Sequence, residues 1–141
     1  MLICVLASML YLGVLCPKAA NAVQTPQEFV KEFYEWYIIK HYEFQDILEN
    51  EKLPEYVDES LIAYLKKRGS SDLYYFLQHG SSTSVFKECR IEVKDALNMT
   101  DDVFVVPVTF KGEKFESTVI AYVKKVDSVF KITSVSDAYP Y

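Results

Sequence analysis

Histidine appears only twice, at His41 and His79, and cysteine three times, two of those (Cys4 and Cys16) inside one apolar N-terminal run. No His-x-His, Cys-x-x-Cys or Glu-x-x-His spacing exists, so no zinc pattern can be assembled from sequence neighbours. With the two early cysteines in the apolar run, Cys89 stands alone and no internal disulfide is expected in the remainder. Glycine is scarce, and there is neither a Gly-rich phosphate loop nor a Gly-x-Ser-x-Gly elbow. Few glycines and prolines also exclude a low-complexity or linker-rich chain. No excess of basic residues exists either: Lys and Arg number 15 against 20 Asp and Glu, a net charge of −5 with signs interspersed. That balance argues against nucleic acid and favours a basic or neutral partner.

What is present is apolar and aromatic. Half of the 141 residues are hydrophobic, with 11 Tyr and 9 Phe, which fits a single domain able to build its own core. The run from Leu2 to Leu15 is almost wholly apolar and leads to Pro17-Lys18-Ala19-Ala20-Asn21-Ala22, where Ala20 and Ala22 supply the small residues a signal peptidase needs. Residues 1–22 therefore read as a secretory leader cut after Ala22, with residues 23–141 as one domain in the periplasm or secreted. The leader departs from pattern in having no Lys or Arg before the apolar run. The alternative is an anchor, through an uncleaved leader or through lipidation of Cys16. About 14 apolar residues are short of the roughly 20 a spanning helix needs, and Leu15 is larger than a lipoprotein site prefers.

Thr25-Pro26-Gln27-Glu28 is a helix start: a hydroxyl at the cap, proline at the first helical position and glutamate three residues after the cap. Phe29, Phe33, Trp36/Tyr37 and Lys40 follow at helical spacing, with Val30, Tyr34, His41 and Phe44 on an adjoining stripe, so one long helix is expected to Leu48. Phe29, Phe33 and Trp36 are expected to be buried. A second helix is expected from Pro54 or Asp58 to Arg68, with Lys66, Lys67 and Arg68 in its last turn and Gly69 as its stop. Asp72 is placed to cap a short third helix, Leu73 to Gln78.

From Ser81 the period becomes alternating. Four strands are expected: Phe86–Val93, Val103–Phe110, Lys114–Val123 and Val129–Val135. Lys111-Gly112-Glu113 and Lys125-Val126-Asp127-Ser128 read as hairpin turns, Asn98 to Asp102 as a longer connection, and Pro107 as marking an edge strand or a bulge. Cys89 is read as a small buried hydrophobe. Helices first and an antiparallel meander second is the order of an α+β domain: N-terminal helices packed on a curved four-stranded sheet.

The capped pattern Phe29-x-x-x-Phe33-Tyr34-x-Trp36-Tyr37, then Leu61 with Tyr64-Leu65, then Asp72-Leu73-Tyr74-Tyr75-Phe76-Leu77-Gln78 and the closing Phe130-Lys131-Ile132-Thr133-Ser134-Val135, resembles the bacterial exported family of domain of unknown function 3828. The resemblance covers nearly the whole of residues 23–141. It implies a nuclear-transport-factor-2-like, cystatin-like cone, and a fold whose sheets in the wider superfamily often pair two chains, so a homodimer through the sheet is a further expectation. The family's closing strand usually carries Trp where Phe130 stands.

Enzymes of this fold hold an acid or base inside the cone, which directs attention to His41, Asp72 and His79 as proton carriers and to Tyr34, Tyr37 and Tyr74 as donors or cleft residues. Each has a structural explanation: Asp72 as a helix cap, the histidines as satisfied or surface residues, the tyrosines as core. The reading favoured is a non-catalytic exported binding module of the cell envelope, with no metal or cofactor, whose partner is a protein or a small apolar ligand. An inhibitor or immunity-type protein, its acidic surface meeting a basic enzyme, is a specific form of it. The alternative is a small isomerase-like or hydrolase-like enzyme.

Overall fold

The computed structural model describes residues 23–43, 46–69, 74–79 and 84–137. The leader, Phe44, Asp72, Leu73 and Gly80 lie outside the described residues. Among the described residues no helix is long and apolar enough to cross a membrane.

Helix α1 runs Pro26–Tyr42 from the expected capping box, in which the Glu28 amide donates to the Thr25 hydroxyl and the Glu28 carboxylate accepts from the Thr25 amide at 2.8 Å. It stops at Tyr42 rather than Leu48. Asp46 caps a separate 3-10 turn, Ile47–Glu49, which tucks Ile47 into the core. The expected second helix is two: α2 (Leu53–Tyr56) and α3 (Glu59–Arg68), separated because Val57 is extended and forms a parallel bridge with Ile132. Asp58 then caps α3 by accepting from the Ser60 amide at 2.9 Å, and Gly69 ends it at φ 84°. Around the expected third helix the described part is a 3-10 turn, Tyr75–Leu77, closed by Gln78 at a left-handed φ of 49°.

The first expected strand is half helical. Ser84–Lys87 forms a helical turn, α4, which lays Phe86 under Phe110 and Phe115 at 5.3 and 5.1 Å between ring centroids. Strand β1 follows only at Arg90–Val93. The connection expected at Asn98 to Asp102 contains a further strand, β2 (Leu97–Thr100). With β3 (Val103–Lys111), β4 (Glu116–Val126) and β5 (Val129–Asp137) the sheet is antiparallel and five-stranded, in the order β1-β3-β4-β5 with β2 on the same edge of β3 as β1. The class is α+β as expected; the count of four strands is not.

Pro107 lies in β3, a central strand. In β1 the pairing with β3 ends at Val93↔Val108, and in β2 it begins at Leu97↔Val105. Pro107 faces the break between them, where its carbonyl accepts from the Lys94 amide at 2.9 Å. Amide and carbonyl of one strand residue point to the same side, so the missing N–H falls just beyond the last β1–β3 register pair and before the first β2–β3 pair.

Val106, Val108 and Phe110 of β3 and Val119, Ala121 and Val123 of β4 face one side, fully buried against Phe29, Val30, Phe33, Tyr34 and Tyr37 of α1. The outer edge of β5 is covered rather than left open. Ile132 carbonyl accepts from the Asp58 amide, the Val135 amide donates to the Tyr75 hydroxyl at 3.1 Å, and Gln78 Nε2 donates to the Val135 carbonyl at 3.1 Å. These bonds satisfy groups that would otherwise template another strand.

Candidate functional site

Among the described residues that the sequence singled out, Tyr37, His41 and Tyr74 come together and His79 lies apart from them. Tyr34 and Tyr37 are fully buried, and the Tyr34 hydroxyl donates to the Phe76 carbonyl at 2.9 Å. Burial pushes both phenols well above their ordinary range, so both stay neutral. His41 stacks on Tyr37 with planes 10° apart and meets Tyr74 edge-on at 5.3 Å; burial lowers its pKa. Tyr74 is exposed beside it. His79 sits elsewhere, edge-on to Phe86 and Phe115. Asp72 is outside the described residues.

Cys89 is half-buried between α4 and β1, not on a strand, and its thiol donates to the Val85 carbonyl at 3.1 Å. Burial, and then the charge of Glu88, raise its pKa, which works against a thiolate. A Cβ on Gly112 would approach this sulfur to 3.3 Å, so the β3–β4 turn closes tightly over it. No group of metal-ligating side chains occurs among the described residues.

Among the described residues, three surface cavities can be outlined. One of about 600 Å³ sits between α4 and the β3–β4 turn and is lined by Glu88, Glu113, Lys114 and Phe115. Another, about 330 Å³, flanks the end of α1, where Ile39 and Tyr42 are exposed and Lys87 Nζ lies 3.8 Å from the centre of the Tyr42 ring. The third, about 310 Å³, is a cup between the start of α1, α2 and the β4–β5 turn, with Phe29, Glu32, Glu55, Tyr56 and Phe130 in its wall. Neither histidine lines any of the three.

The cup has the most aromatic residues in its lining. Phe29 stands 5.8 Å from Tyr56 and 5.7 Å from Phe130, each pair tilted by 45°, and Trp36 stacks behind Tyr56 at 5.4 Å. Trp36 is therefore half-buried, not the core residue expected, whereas Phe29 and Phe33 are core. Glu32 is held at both oxygens: Tyr56 Oη donates to one at 2.8 Å and Gln24 Nε2 to the other at 3.0 Å. Burial, helped by the bond to Glu32, keeps the Tyr56 phenol above its usual range despite the nearby Lys52. On the rim, Lys125 Nζ lies 5.7 Å from the Phe130 ring, and Lys52 Nζ 5.3 Å from that of Tyr56. The far rim is the β4–β5 turn, where Asp127 and Ser128 take φ of 48° and 67°, as a two-residue type I′ hairpin requires. Nothing in the sequence marks this cup, because it joins a helix start, a helix end and a hairpin far apart in the chain.

No family model and no curated protein matches the chain. Two solved structures do. Against a chain in the crystal structure of the type VI native effector–immunity complex Tae3–Tai3 from Ralstonia pickettii, the match covers 83% of this chain and 98% of that one, with a TM-score of 0.68 and 26% identity. Against a chain in the selenomethionine form of that complex, the coverage is 83% and 99%, with a TM-score of 0.66 and the same 26% identity. In fold and over nearly its full length, a chain of the Tae3–Tai3 effector–immunity complex is what this protein is similar to.

Proposed function

We propose that this protein is an immunity-type protein: a non-catalytic chain that binds a Tae3-type effector and holds it inactive. The single observation that carries the reading is the likeness to a chain of the Tae3–Tai3 complex over 98% of that chain's length, which corresponds to the Tai3 half. The placement of the polar residues supports it. Tyr34 is spent on a core hydrogen bond, and His41 and His79 pack against rings and line none of the three cavities found among the described residues. The net charge of −5 favours encounter with a basic partner. The helix-then-sheet order also fits the nuclear-transport-factor-2-like cone, and the apolar run Leu2–Leu15, read as a secretory leader, supports an encounter in the periplasm or beyond.

The test is co-expression of the full chain with a Tae3-like effector of the same organism, in a bacterial host whose growth that effector arrests. Rescue of growth together with a complex that survives size-exclusion chromatography is expected. Arrest that persists despite abundant folded protein would sink the reading.

A further inference from the structure

We draw no further inference here: the strongest candidate, the outer edge of β2 where Leu97 and Met99 stand exposed, pairs with no other strand among the described residues, and nothing in the structure shows what covers it.

Discussion

Tyr34 carries a hydroxyl into the core, and the Phe76 carbonyl is the acceptor that makes this tolerable. Tyr34→Phe leaves that carbonyl buried and unpaired, so unfolding free energy should fall by about 1–3 kcal/mol; an unchanged denaturant midpoint would show that the bond contributes nothing. His41 gives a pH dependence. Its ring is packed in neutral form and its pKa lies below 6.5, so the unfolded chain takes up the proton first. The contribution of His41 is therefore complete above pH 6.5 and is lost as the pH falls through the lower folded value. Melting temperature should decline as the pH falls below 6.5, and His41→Asn should flatten that slope; a variant with the wild-type slope would contradict the assignment. Trp36 covers the back of Tyr56 and remains half-buried, so Trp36→Ala should cost about half of the ~3–5 kcal/mol that a fully buried tryptophan would. A loss in the full range, measured by urea denaturation, would place it in the core.

The elements show where local signals suffice. Thr25 and Asp58 cap α1 and α3 as their sequences specify, because a cap needs only residues two or three positions apart. The β4–β5 hairpin is less well served by its sequence. Its turn holds Asp127 and Ser128 at positive φ, and only the first is a residue that tolerates this readily. Ser128→Gly supplies the Asp-Gly pair preferred in type I′ turns, and thermal unfolding should show stabilisation of about 0.5–1 kcal/mol after the entropy cost of glycine is deducted. Destabilisation would mean that the serine side chain makes a contact worth more than the backbone strain. Other breaks have no local signal. The helical pattern continues past Tyr42 on paper, but the chain turns there so that Ile47 reaches the core and Lys66 on α3 meets Glu49 at 2.9 Å. As the first residue of a strand to Val93, Phe86 would share a face with Glu88 and Arg90, whereas a helical turn seats it among Phe110, Phe115 and His79.

For the whole molecule, the acidic balance bears on association more than on folding. The complex with a Tae3-like effector should form faster at low salt, with the association rate falling several-fold or more as ionic strength rises from about 0.05 to 0.5 M, while dissociation changes less. Stopped-flow rates independent of salt would remove electrostatic steering. Legible in the sequence alone were the order of helices before strands, the α+β class, both hairpin turns, the α1 capping box, the Gly69 stop of α3 and the burial of Phe29 and Phe33, because periodicity and capping are written within a few residues of each other. The candidate site was not legible. Of its predicted members that are described, Tyr34 and Tyr37 lie in the core and Tyr74 at the surface, since a tyrosine on a helical stripe reads alike whether its hydroxyl meets a carbonyl or solvent. Only the tertiary structure decided that Val57 would bridge Ile132, that β2 would share an edge with β1, and that Glu32, Tyr56 and Phe130 would form one cup. Those outcomes depend on contacts between segments distant in the chain, where packing of the whole core overrides what any short stretch prefers.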